Sequence, residues 1–70
     1  MEKSMNELSR FFGDTGETRL YRLGNNFFIE LYVDNILIEG RTVPSEDRTF
    51  RELFTYAEDY AEDWANGDMQ

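Results

Sequence analysis

The chain has no cysteine and no histidine, one proline, and a single lysine, Lys3. Each absence removes a class of chemistry. Without cysteine there is no disulfide and no thiolate metal site. Without histidine no imidazole can activate Ser4, Ser9 or Ser45, so serine triads and histidine-ligated metals are excluded. Lys3 lies close to the N-terminus, a poor place for Schiff-base chemistry. The run Gly13-Asp14-Thr15-Gly16-Glu17 lacks the lysine and the glycine spacing of a phosphate loop. No stretch has EF-hand spacing, which leaves only a weak hard-cation site at clustered acids. A pair of carboxylates could do acid–base work from a pocket, but a small domain with short loops has little room for one. The expectation is a protein without enzymatic activity, cofactor or metal.

No run approaches the ~20 apolar residues of a membrane span. Met1-Glu2-Lys3-Ser4-Met5 has no basic segment leading into an apolar one, so a secretory signal is not expected and a cytoplasmic location is.

Basic residues are missing altogether from Glu52 to Gln70, which hold six acids: Glu52, Glu58, Asp59, Glu62, Asp63 and Asp68. The preceding fifty-one residues carry nine acids against seven bases. Of a net charge of −8, −6 therefore belongs to the C-terminal segment. Such a charge repels nucleic acid and anionic lipid, so neither is an expected direct partner.

The 70 residues are read as one domain, 1–70, whose small core depends on six Phe, four Tyr and one Trp. Ser4-Met5-Asn6-Glu7 has the form of a capping box, and Met5, Leu8 and Phe12 follow at helical spacing before Gly13. This predicts a short helix over about 5–12. Strands are expected over 18–23, 27–33 and 36–43, with turns at Gly24-Asn25-Asn26 and Asp34-Asn35. The first hairpin accepts a two- or a three-residue loop. In the second, a two-residue turn pairs Val33 with Ile36, Leu31 with Ile38 and Ile29 with Gly40 on an apolar face directed at the helices. On the other face Tyr32 meets Leu37, and Glu30 meets Glu39, an unfavourable like-charge pair unless Arg19 or Arg41 relieves it. Pro44 ends the last strand.

Thr49-Phe50-Arg51-Glu52 is a second capping-box pattern. Phe50, Leu53, Phe54, Ala57, Tyr60, Ala61 and Trp64 then fall on one face of a helix over about 50–65, stopped by Asn66-Gly67. The predicted fold is α+β with order α-β-β-β-α: a three-stranded antiparallel sheet with two helices on one face.

The acids of the second helix oppose its stability. Glu58/Glu62 and Asp59/Asp63 are like-charge i,i+4 pairs, each costing roughly 0.2–0.5 kcal/mol. Acids in the last turns also face the negative end of the macrodipole. A row of Glu52, Glu58, Asp59, Glu62 and Asp63 repeats at about 5.4 Å per turn, a spacing comparable to that of phosphates along a strand. Candidate partner-binding residues are these five, a second patch of Glu30 and Glu39, and the aromatics Tyr56, beside the acids, and Tyr32, on the outer sheet face with Phe28.

Two resemblances bear on these readings. The α-β-β-β-α order, the Asn6-Glu7-Leu8 opening and the Phe27–Val33 strand resemble the double-stranded-RNA-binding domain. That family opens its last helix with a lysine-rich phosphate clamp. Here the place reads Ser45-Glu46-Asp47-Arg48-Thr49-Phe50-Arg51-Glu52, so RNA binding does not carry over. Size, acidity and the Tyr60-Ala61-Glu62-Asp63-Trp64 segment resemble phage-encoded anti-CRISPR inhibitors. That resemblance implies an inhibitor of a basic nucleic-acid-binding protein or complex, such as a CRISPR effector. The competing expectation is a regulatory or assembly module, an antitoxin or accessory subunit, bound through Tyr32 and Phe28, with the acids serving solubility. A homodimer through the Tyr32/Phe28/Leu37 patch is compatible with either.

Overall fold

A computed structural model describes residues 6–45 and 47–67. Four strands precede one helix: β1 (Asn6–Phe12), β2 (Glu17–Leu23), β3 (Asn26–Val33), β4 (Ile36–Thr42) and α1 (Phe50–Asn66). The strands form an antiparallel meander in the order β1-β2-β3-β4. The architecture is thus β-β-β-β-α. It replaces the predicted α-β-β-β-α order of three strands and two helices, and with it the topology that resembled the double-stranded-RNA-binding domain.

The error lies at the N-terminal end. Residues 6–12 of the predicted helix are β1, while the Ser4 and Met5 part of that reading lies outside the described residues. An isolated two-turn helix is marginal, whereas pairing with β2 gives this backbone a ladder of partners. Adjacent Phe11 and Phe12 are better served by a strand, which sends them to opposite faces. Phe11 packs on the core and Phe12 stays 74% exposed. The alternation is interrupted at Leu8. Glu7 pairs with Tyr21 and Ser9 with Leu20, so Leu8 is the extra residue of a bulge. Gly13 does not stop a helix. A Cβ there would lie 2.6 Å from the Ala65 carbonyl oxygen, so glycine lets the β1–β2 loop reach the end of α1.

The first hairpin has a two-residue loop, since Leu23 pairs with Asn26 and Gly24 takes a φ of 64°. The second turns at Asp34 and Asn35, both at positive φ (55° and 66°), as a type I′ turn requires. Val33 pairs with Ile36 and Tyr32 with Leu37, as expected. Beyond them Ile38 is an extra residue, and the register shifts. Leu31 meets Glu39, Glu30 meets Gly40 and Ile29 meets Arg41. The shift separates Glu30 from Glu39 and puts them on opposite faces of the sheet. Gly40 also makes room for an aromatic, because a Cβ there would lie 2.5 Å from the tip of the Phe28 ring.

α1 begins and ends as its sequence dictates. The Thr49 side chain accepts from the Glu52 amide (3.2 Å) and the Glu52 carboxylate accepts from the Thr49 amide (3.0 Å). Gly67 closes the helix in the left-handed conformation (φ 79°). The helix packs across β1, β2 and β3. Its Leu53, Ala57, Ala61 and Trp64 meet Leu20, Phe27, Ile29, Leu31 and Val43. Ala57, Ala61 and Ala65 are fully buried and bring the helix backbone close to the sheet. There the buried Thr18 hydroxyl donates to the Ala61 carbonyl at 2.8 Å. A single helix does not reach over β4. Ile36 and Ile38, expected on the covered face, are 63% and 55% exposed, and Leu37 is 52% exposed. Phe50, expected in the core, is half exposed at the edge of the helix contact, its ring 5.3 Å from that of Phe27.

Candidate partner-binding surface

α1 buries one side and turns the other to solvent. Glu52, Asp59, Glu62 and Asp63 are exposed and Glu58 is half-buried. Among the described residues, no basic side chain forms an ion pair with any of these five acids. The arginines are committed elsewhere. Arg10 pairs with Glu7 and Glu17 across the outer sheet face. Arg19 pairs with Glu17 at 2.9 Å and lies 4.0 Å over the Tyr32 ring. Arg22 donates to the Gly24 carbonyl and covers Phe50. Arg41 donates to Glu39 (2.9 Å) and to the Tyr60 hydroxyl (3.2 Å), and sits 4.2 Å over Trp64. Arg48 covers Tyr56 at 3.9 Å and donates to the Pro44 carbonyl. Only Arg51, in the first turn, shares the exposed surface of the helix with the acids.

Four guanidinium groups thus stack on aromatic rings, an arrangement worth roughly 0.5–1 kcal/mol each at exposed sites. These stacks were not read from the sequence, which separates each arginine from its ring by 13 to 28 positions in three of the four cases (Arg19/Tyr32, Arg41/Trp64, Arg22/Phe50). Only Arg48 and Tyr56 lie close along the chain. The stacking holds positive charge at the flanks of α1 and on the sheet, and leaves the acidic ridge without an ion pair among the described residues.

The remaining predicted residues are dispersed. Glu30 is on the outer sheet face yet only 9% exposed, enclosed beside Tyr32, whose hydroxyl donates to it at 2.9 Å. Burial first, and then Glu30, pushes the Tyr21 phenol up to about 12 and raises Tyr32 as well. Glu39 is exposed on the helix side of β4 and paired with Arg41. Glu30 and Glu39 therefore do not form a joint patch. Tyr56 is half-buried, edge-on to Tyr60 at 5.9 Å. Tyr32 is half-buried beneath Arg19. Of the nine candidates, the structure unites the five acids of α1 and leaves four outside that group.

Comparison with protein-family models, with curated proteins and with solved structures finds no match to this chain.

The local geometry offers little to a small ligand. A shallow apolar cavity of about 190 Å³ is lined by Leu8, Arg22, Phe27, Phe50 and Phe54, smaller than the ~300 Å³ at which ligand pockets begin. Among the described residues, no group of three or more acidic side chains is arranged to hold a metal ion. No helix among them is long and apolar enough to cross a membrane.

Proposed function

We propose that this chain is a non-enzymatic inhibitor that places the acidic face of α1 in the basic nucleic-acid-binding surface of a larger protein. The observation that carries the reading is the five-acid ridge with no ion-paired base among the described residues, on a helix whose flanking arginines are stacked on rings. Unpaired carboxylates on a rigid helix cost stability in isolation and gain it against lysine and arginine. The target class is a basic nucleic-acid-handling protein or complex, a CRISPR effector or similar, in the cytoplasm of a host cell if the chain is phage-encoded. Glu58, Asp59, Glu62 and Asp63 supply the central charges, and Glu52 extends the row toward the N-terminus.

The test is capture of such a target from bacterial lysate at low and high salt, followed by competition with duplex DNA. Wild type should be retained at low salt and displaced by the duplex. A variant with charge reversed at 58, 59, 62 and 63, shown by circular dichroism to be folded, should capture nothing. Equal capture by both forms rules the reading out.

A second reading has its own observation. No helix among the described residues lies over the outer sheet face, and Phe12, Leu23 and Leu37 are exposed there or at its rim (74%, 43% and 52%). A regulatory or assembly module bound through this face would lose its partner on Tyr32→Ala and Phe28→Ala and keep it on charge reversal of α1.

A further inference from the structure

β4 is an edge strand that pairs only with β3, so its second row of backbone donors and acceptors has no partner among the described residues. Natural edges are usually blunted by charge, proline or a bulge. β1, the opposite edge, is blunted in this way by its bulge at Leu8 and by exposed Glu7 and Arg10. β4 has a bulge at Ile38 and the charged Glu39 and Arg41, but these two pair with each other at 2.9 Å, and from Glu39 to Thr42 the strand pairs regularly with β3. It also displays Ile38, more than half exposed, two residues before Gly40.

We propose that β4 is a self-pairing edge and that its partner is β4 of a second copy, antiparallel, with the two-fold axis at Gly40. Charge selects this register. Glu39 and Arg41 flank Gly40, so an axis there sets Glu39 of each copy opposite Arg41 of the other. Two Glu39–Arg41 contacts between the copies thus join the Glu39–Arg41 pair that each copy already holds on the helix side of the sheet. An axis at Glu39 would set like charges directly opposite each other, which is unfavourable. On the outer side Ile38 meets Thr42 of the second copy. The glycines meet at the axis, where neither presents a side chain and each Phe28 ring already lies across its own Gly40.

The axis is perpendicular to the sheet, so the product is a continuous eight-stranded sheet with both α1 helices on one face. From β2 of one copy to β2 of the other is five strand spacings, about 24 Å at ~4.8 Å each. The paired segment is short, so the interface falls below the ~1,200 Å² of standard complexes and the dimer is weak. This pairing does not depend on what the acidic ridge binds, and its test uses the chain alone.

Sedimentation analysis of the full chain from ~1 μM to ~1 mM should show a reversible monomer–dimer equilibrium. Glu39→Arg turns both cross-strand pairs repulsive and should weaken the dimer by about tenfold or more, with the fold preserved by circular dichroism. Because the chain has no cysteine, register can be read by cross-linking. An Ile38→Cys/Thr42→Cys double variant, both sites exposed, should oxidise to a covalent dimer. The two positions lie about 13 Å apart within one strand, too far for an internal bridge. Leu37→Cys alone should not cross-link. A monomer at every concentration overturns the proposal. So does a dimer that cross-links through Leu37→Cys and not through the 38/42 pair.

Discussion

If the acids of α1 are held against the stability of the fold, replacing two of them with lysine should make the protein more stable. Glu62→Lys with Asp63→Lys is the informative change. Both side chains are exposed and neither makes an ion pair within the described residues. Each substitution turns a repulsive i,i+4 pair, Glu58/Glu62 or Asp59/Asp63, into an attractive one in the favourable acid-before-base order. Removing each repulsion and adding each attraction is worth roughly 0.2–0.5 kcal/mol. Cations near the end of the helix add roughly 0.3–1 kcal/mol through the macrodipole. The lower end applies here, because the Thr15 and Gly16 amides already donate to the Ala65 carbonyl (2.8 and 3.3 Å) and offset part of the dipole. The expected gain is about 1–2 kcal/mol. For a domain of this size that raises Tm by at least about 4 °C. Thermal unfolding followed by circular dichroism at low salt measures it, and added salt should shrink the difference by screening. The same variant should lose capture of the basic target. An unchanged or lower Tm at low salt refutes the premise that the acidic ridge is a cost, and removes the main reason for assigning it a function.

Three further outcomes follow from the packing. Trp64→Ala removes a nearly buried ring edge-on to Tyr60 and under Arg41. The loss of about 3–5 kcal/mol, set against roughly 3.5–10 kcal/mol for a chain of this length, should leave the variant largely unfolded or at the margin by circular dichroism. Thr18→Val keeps the buried shape and deletes the bond to Ala61, so urea denaturation should show about 1 kcal/mol lost with an unchanged slope. Stability should also fall in alkali. Tyr21 holds its proton up to about 12 in the fold but releases it near 10 when unfolded. Its contribution is therefore complete below pH 10 and is lost as pH rises toward 12. Tyr21→Phe should flatten that decline, and an equally steep decline in the variant would show that Tyr21 is not its source.

The legible parts of the fold were those where local chemistry and global packing agree. Thr49 and Glu52 form the capping box their spacing indicates, Gly67 closes α1, and Asp34-Asn35 adopts the two positive φ angles of a hairpin turn. The illegible parts depend on residues distant in sequence. β1 is a strand because β2 is beside it, while its own pattern, broken by the bulge at Leu8, imitates a helix. The extra residue at Ile38 cannot be counted from the chain, and with it goes the pairing of Glu30 with Glu39. Three successive apolar residues, Ile36-Leu37-Ile38, were the available warning. A strand with one covered face cannot bury all three, and with a single helix over β1–β3 it buries none of them well. The acidic ridge itself was readable as a face of α1. That no described base pairs with it was not, since that depends on where the arginines go.

The meander has a kinetic meaning. Every strand neighbours its predecessor in sequence, and two of the three connections are two residues long. The sheet can therefore assemble by successive local closures with little loop entropy to overcome. The contacts longest in sequence are those by which Ala61 and Ala65 of the helix reach back to Thr18 and to the loop at Thr15 and Gly16. A nascent chain released before that helix is made would present Leu20, Phe27, Ile29 and Leu31 on an open apolar sheet, the state most exposed to aggregation. The acidic helix is thus also the lid that ends this exposure, and its charge stands outward from the moment it docks.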